Sequence, residues 1–226
     1  MNWDDSGYLL KKNKYNENSI IAEIYTQNHG KCSGIIFGAS SKKIKNYLQI
    51  GNKLFLNHTY KNESKIGYFK IEIIKAYSPL YFDNKKKLMC LNSAMSLIRL
   101  LTVDFQENPK IFKLIDNFYY NLSQDNWINE YIFWELELFK LIGYDLELKN
   151  LVNAEKINDE ITYFVKSNTE KKIIPNFLID FDKNELNNFQ LLNGLKLVGD
   201  FLNKSILRPN NISFPSSRID FVNILK

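Results

Sequence analysis

Cysteine is nearly absent: Cys32 and Cys90 are the only two, they lie far apart, and neither belongs to a C-x-x-C spacing. That excludes both a disulfide framework and a cysteine-built zinc site, and a reducing compartment fits best. No run of even eight apolar residues occurs, so a membrane span has no sequence support. The opening Met1-Asn2-Trp3-Asp4-Asp5 lacks the basic and apolar regions of a signal peptide, and a cytoplasmic protein with no membrane partner is expected. Catalytic signatures are missing as well. No GxxxxGK, GxGxxG or GxSxG is present, which removes the phosphate-cradling loop and the nucleophile elbow. His29 and His58 have no partner at ligand spacing and are expected as solvated surface residues. Glu135 and Glu137, two apart on a helix, point to different faces, while Asp180 and Asp182 sit beside Lys183 as solvated carboxylates. A protein that is not an enzyme and uses no cofactor is the expectation. The enzyme rival is a metal nuclease working through Asp180 and Asp182.

What is present describes a globular chain. Its 226 residues are 45% hydrophobic, 14% aromatic and 24% charged, enough for one large or two small domains with a real core. The net charge of +5 is unevenly placed. Residues 1–78 hold 12 lysines against 6 acidic residues, and the rest holds 18 basic against 19 acidic residues, so the positive field belongs to the N-terminal third. Only 3 of the 30 basic residues are arginine, and asparagine and isoleucine are abundant, as in the codon usage of an AT-rich genome. The number of lysines therefore says less than their location.

Punctuation changes with charge. Six of the nine glycines fall within the first 67 residues and all five prolines come at Pro79 or later, which sets a domain boundary at Ser78-Pro79. Upstream, apolar runs bounded by turn residues predict strands over 7–11, 19–26, 31–37, 53–60 and 66–76. Asn28-His29-Gly30 and Lys61-Asn62-Glu63 read as hairpin turns. Five strands without a long helix in residues 1–78 predict a small closed barrel of the oligonucleotide-binding (OB) type. Downstream, residues 79–226 read as a helical domain, giving a mixed α+β chain. A stripe of Leu88, Leu91, Met95, Ile98 and Leu101 begins it, and Asn108-Pro109 caps a second helix. A nearly all-apolar helix over 127–142 is expected at the centre, and a last one over 186–207. Residues 150–175 are polar and aperiodic apart from a strand-like Ile161 to Val165.

The strongest functional patch is Ser40-Ser41-Lys42-Lys43-Ile44-Lys45-Asn46-Tyr47, read as a basic loop leaving a strand that ends at Phe37. Lys42, Lys43 and Lys45 suit phosphate neutralisation, with Lys12, Lys14 and Lys31 adding to the same field. Phe37 and Tyr47 offer rings for base stacking, although a barrel aromatic taken singly is expected to be core. The alternative reading is an OB-fold RNA-binding or ribosome-associated protein.

At this point several segments resemble, in order and spacing, the RecO family of bacterial DNA repair proteins in its alphaproteobacterial form. Trp3-Asp4-Asp5-Ser6-Gly7-Tyr8-Leu9-Leu10 resembles the family's W-x-D-x-G opening strand, and Asn16-Glu17 with Ile20-Ile21 its Gly-Glu ahead of Ile-Val. Thr26-Gln27-Asn28-His29-Gly30-Lys31 resembles T-x-x-H-G-R, and Gly38-Ala39-Ser40-Ser41-Lys42 precedes Leu48-Gln49-Ile50-Gly51-Asn52 as G-x-x-S-x-K precedes L-Q-P-G-N. Leu195-Lys196-Leu197-Val198-Gly199-Asp200-Phe201-Leu202 and Phe214-Pro215-Ser216-Ser217-Arg218 resemble L-x-L-x-G-x-F-L and L-P-x-x-R.

The resemblance implies a non-catalytic recombination mediator, nucleoid-associated during repair. It implies binding and annealing of single- and double-stranded DNA, with RecR and single-stranded DNA-binding protein as partners. The acidic, apolar C-terminal tail of the latter is expected to bind the helical domain, with Arg99, Lys204 and Arg208 as candidate rim residues. Some relatives carry a four-cysteine zinc module after the third helix; Leu146-Glu147-Leu148-Lys149-Asn150-Leu151 has no cysteine, which leaves residues 150–175 as a degenerate version of that module. Elemental analysis of the purified protein is accordingly expected to find no stoichiometric zinc, and one zinc per chain would overturn this expectation.

Overall fold

The structure, a computed structural model, describes residues 2–60, 66–157, 160–166, 171–180 and 186–226. The chain opens with strands β1 (Trp3–Lys14), β2 (Ser19–Thr26) and β3 (Gly30–Phe37), a short helix α1 (Lys42–Tyr47), and strands β4 (Lys53–Thr59) and β5 (Gly67–Lys75). The five strands close a barrel in the order β1-β2-β3-β5-β4, the OB-fold expected from the sequence. All pairings are antiparallel except β3 with β5, where Gly34 faces Gly67 and Ile35 faces Tyr68. The β1–β2 register shifts between Leu9 and Lys11. Lys61-Asn62-Glu63, the second turn expected from the sequence, lies outside the described residues.

Alternation decides which side chains fill the barrel. Leu54 and Leu56 of β4 point inward between exposed or half-exposed Phe55 and Asn57, and they join Leu9, Ala22, Ile24, Cys32, Ile36, Leu48, Phe69 and Ile71 in one core. Burial pushes the Cys32 thiol up to about 12, so it is an inert packing residue at neutral pH.

On β1 the outer face is covered too. Helices α2 (Lys85–Leu101) and α3 (Pro109–Ser123) follow a 3₁₀ turn at Ser78–Tyr81, and α2 packs on β1 and β2. Tyr8 is fully buried with its ring 5.5 Å from Phe112 and 5.6 Å from Tyr119, and its hydroxyl donates to Asp116. Tyr119 in turn donates to the carbonyl of Gly51. Three ion pairs tie these elements together: Lys31–Asp104 at 3.2 Å, Lys53–Asp116 at 2.8 Å and Arg99–Glu23 at 3.7 Å. Pro109 starts α3 with Asn108 accepting from Lys110 N (3.1 Å) and Ile111 N (3.3 Å), as the sequence predicts.

By contacts the chain divides into one unit of residues 1–119 with 215–224 and another of 120–214 with 225–226. The last barrel strand ends at Lys75, and α2 with most of α3 falls in the same unit as the barrel, α2 packing on β1 and β2 and α3 meeting Tyr8 of β1 through Phe112, Asp116 and Tyr119. The helix α8 (Ser216–Leu225), which the sequence analysis did not identify, returns to the first unit with Phe221 and Arg218 buried. The second unit is built on α4 (Trp127–Leu141), whose Tyr131, Ile132, Trp134, Leu138 and Phe139 are buried. It continues through α5 (Leu148–Leu151), a sheet of β6 (Asn153–Ile157), β7 (Glu160–Lys166) and β8 (Lys171–Ile174), and α6 (Phe177–Asp180). The described part of the aperiodic stretch over 150–175 is therefore largely sheet. Last comes α7 (Asn188–Phe201), begun by a capping box of Asn187 and Gln190 and prolonged by a π-helical turn at Leu202–Leu207.

Both histidines correct the expectation of solvated side chains. Trp3 lies between them, its ring 3.9 Å from His29 and 4.5 Å from His58. Asp5, itself buried, accepts from Asn28 N at 2.9 Å and from Asn28 Nδ2 at 3.0 Å, and lies 2.8 Å from His29 Nδ1. The W-x-D opening is thus a device that locks the β2–β3 turn. His58 is 1% exposed and fits because Gly67 has no side chain: a Cβ there would lie 2.0 Å from His58 Nε2.

Burial, followed by the charges of the N-terminus and His29, lowers the His58 pKa from its ordinary 6.5. The unfolded chain therefore binds a proton below pH 6.5 that the folded chain refuses, and stability falls as pH drops from 6.5 towards the folded-state value. Urea midpoints between about pH 7.5 and about 5.5 should fall more steeply in the parent than in His58→Phe; parallel curves would show that His58 contributes nothing to the loss.

Candidate nucleic-acid interface

The basic segment forms a short helix rather than the expected loop. Ser41 caps α1 by accepting from Ile44 N at 3.4 Å. Ile44, Tyr47 and Leu48, at spacings of three and one, turn onto the barrel core, so Lys42, Lys43 and Lys45 are left on the outer side and exposed. None of the three makes an ion pair among the described residues; Lys43 Nζ lies 5.9 Å from the Tyr47 ring. Tyr47 is half-buried against the core, as expected for a barrel aromatic.

The other sequence candidates separate. Lys12 donates to the carbonyl of Leu48, and its pKa is lowered by burial first and by Lys45 second, which sets these two ammonium groups in one field. Lys14 is exposed at the end of β1, opposite Ile20. Lys31 is a correction. Its ammonium donates to the carbonyls of Arg99 (2.8 Å) and Thr102 (2.7 Å) and pairs with Asp104, so its charge is consumed within the unit as a cap on the end of α2. Arg99 is paired with Glu23, while Lys204 and Arg208 are exposed in the second unit.

Phe37 departs from the core reading: it is 60% exposed and its ring is stacked on Tyr68, 5.3 Å between centroids at 19°. Tyr68 was missed by sequence reasoning. Its signal was parity on β5, where Phe69 and Ile71 are buried and Tyr68 and Lys70 fall on the opposite face. Among the described residues no group of three or more His, Cys, Asp or Glu could hold a metal ion. Asp180 accepts from the Tyr163 hydroxyl at 2.9 Å, and Asp182 lies outside the described residues.

The second unit carries a groove of about 560 Å³ between β7, β8 and α7. Ile161, Ile173 and Phe189 line it with half or more of their surface exposed, and Lys172 and Lys196 stand beside them. Lys172 is paired with Asp200 at 2.7 Å, whereas Lys196 makes no ion pair among the described residues. No described helix is long and apolar enough to cross a membrane.

Comparison with known proteins agrees with the barrel and the helices. A family model described as Recombination protein O N terminal matches residues 1–77, and one described as Recombination protein O C terminal matches residues 84–208. The DNA repair protein RecO of Rickettsia africae (strain ESF-5) is 31% identical over 222 residues, 93% of this chain and 93% of that protein. The one from Rickettsia akari (strain Hartford) is 30% identical over 235 residues, 98% and 97% of the two chains. Among solved structures, Entamoeba histolytica asparaginyl-tRNA synthetase is similar at a TM-score of 0.31 and 12% identity, over 99% of this chain and 63% of that one, too distant to carry an argument. With both halves matched and relatives aligned over nearly their whole length, the chain belongs to the RecO family of DNA repair and recombination proteins.

Proposed function

We propose that the protein is a non-catalytic mediator that binds single- and double-stranded DNA on the α1 side of its barrel and anneals complementary strands. It works with RecR on DNA coated by single-stranded DNA-binding protein, in the cytoplasm at the nucleoid. The observation that carries the reading is the row of unpaired lysines, Lys42, Lys43 and Lys45, held outward by a helix whose other side is fixed to the barrel core. Lys12 and Lys14 extend the same field. Annealing needs no general acid or base: lysines screen the repulsion between phosphates, and base pairing supplies the free energy. Lysine is a flexible point charge without the fork that reads a base edge, so these contacts are to the backbone and indifferent to sequence.

Replacing Lys42, Lys43 and Lys45 together by alanine should weaken binding to mixed-sequence oligonucleotides about equally. It should also flatten the plot of log affinity against log salt by about 2 for single strands, from about 0.7 per lost phosphate contact. An unchanged slope in the folded variant would place the DNA elsewhere on the protein. Annealing of naked and protein-coated complementary strands separates this reading from that of an RNA-binding or ribosome-associated protein.

For the acidic, apolar tail of single-stranded DNA-binding protein, the groove of Ile161, Ile173 and Phe189 beside unpaired Lys196 supplies both an apolar floor and a positive rim. Arg99, Lys204 and Arg208 are the rim candidates that the sequence offers, with Arg99 already paired to Glu23. A charge-assisted contact to the tail is worth about 1.5–3 kcal/mol. Tail-peptide affinity should therefore fall in Lys196→Ala and Phe189→Ala; full binding by both, with loss in Lys204→Ala or Arg208→Ala, would move the site to the π-helical turn that follows α7.

A further inference from the structure

We infer that the stacked Phe37–Tyr68 pair is a nucleobase platform that makes the lysine-bearing face of the barrel favour unpaired over paired strands. The inference rests on the DNA reading above and adds strand selectivity to it. Phe37 ends β3, five residues before Lys42, and Tyr68 lies on β5, the strand that α1 contacts. β3 and β5 run parallel with Ile35 beside Tyr68, so two residues further along β3 the Phe37 ring reaches Tyr68 across the seam that closes the barrel. One side of Phe37 is thus supported by another ring at 19°, while 60% of the residue faces water. Lys70 follows Tyr68 on the same face of β5, exposed and without an ion pair among the described residues. At the neighbouring rim Phe37 opposes Ser19, Ile20 opposes Ile36, and Lys14 opposes Ile20.

A flat ring supported on one side, on a barrel face whose neighbouring elements carry Lys14, Lys42 and Lys70, is the surface that a base and its flanking phosphates recognise. An exposed Phe37 ring stacked on half-exposed Tyr68, on the outside of a closed barrel, adds nothing to the core. It gains by stacking only when a ring from outside covers it. A single strand presents such rings at no cost, whereas in a duplex each base is already stacked and paired and must first be extracted. The lysines attract both forms, because both carry phosphates; the platform acts on one.

The test uses the full chain and three fluorescent probes: a mixed-sequence single strand, its duplex, and the same strand carrying abasic sites. Phe37→Ala, at an exposed position, and Phe37→Leu, which keeps an apolar side chain without a ring, are compared with the parent and with the triple lysine variant. Thermal melts confirm that each is folded. Both Phe37 variants should lose about tenfold in affinity for the single strand, leave duplex and abasic binding unchanged, and keep the parent's salt slope. The triple lysine variant should weaken all three probes. Loss of binding by the triple variant with no loss in the Phe37 variants, or with equal loss on single strand and duplex, would overturn the platform while leaving the lysine contacts standing. Parent-like binding by every variant would overturn both.

Discussion

Barrel closure is the constraint on which the rest depends, and it runs through a short seam. β1, β2 and β3 form one antiparallel run and β4 and β5 another, joined on one side by β1 with β4 and on the other by the parallel meeting of β3 with β5. Closing a five-stranded barrel brings opposite walls so near that the interior holds few large rings. Gly34 and Gly67, paired across the seam, leave the space that Phe69 and His58 occupy. The same seam brings Phe37 and Tyr68 together on the outside. Core filling and surface pattern are two sides of one register, since a slip of one residue would exchange them.

The helices of the first unit are joined to this barrel by polar contacts set in apolar surroundings. Tyr8, Tyr119, Lys53 and Asp116 sit among Phe112 and Tyr77, and burial raises the Tyr8 and Tyr119 hydroxyls well above their ordinary range, keeping them protonated as donors. Such groups are costly to strand and modestly favourable when paired, so they fix one docking geometry where a purely apolar seam would tolerate several. Asp5 does the same for the β2–β3 turn with three donors from Ser6 and Asn28 and with His29.

What the sequence revealed follows the strength of its periodicities. The strands, the stripe of α2, the Asn108-Pro109 cap and the apolar α4 each repeat one pattern long enough to be read. β6 is spelled Asn153-Ala154-Glu155-Lys156-Ile157, with no alternation, and its strand character comes from pairing with β7. α8 is only ten residues long, and packing stabilises it more than its own propensity. The histidines were misplaced because sequence shows polarity but not the indole that arrives between them. Lys31 was misjudged for the same reason: its partners, two carbonyls at the end of α2, lie about seventy residues away. The lysines of α1 were legible as a dense basic patch, but not as the outer side of a helix: six residues are too few to show a period, and the turning of Ile44 and Tyr47 onto the core is visible only in the fold. Phe37 was not legible, since an aromatic at the end of a strand can fall on either side of the wall.

The ion pairs of the first unit also shape its far field. Lys31, Lys53 and Arg99 are cancelled at short range by Asp104, Asp116 and Glu23, so they appear from a distance as small dipoles. Lys42, Lys43, Lys45 and Lys70 make no ion pair among the described residues, so the faces of α1 and β5 that carry them keep their full positive charge. A polyanion approaching to within a screening length, about 8 Å at physiological salt, experiences a torque as well as an attraction. Rotational search is shortened before any contact forms, so the internal pairing of three cations affects how quickly collisions become productive as much as how tightly the fold holds.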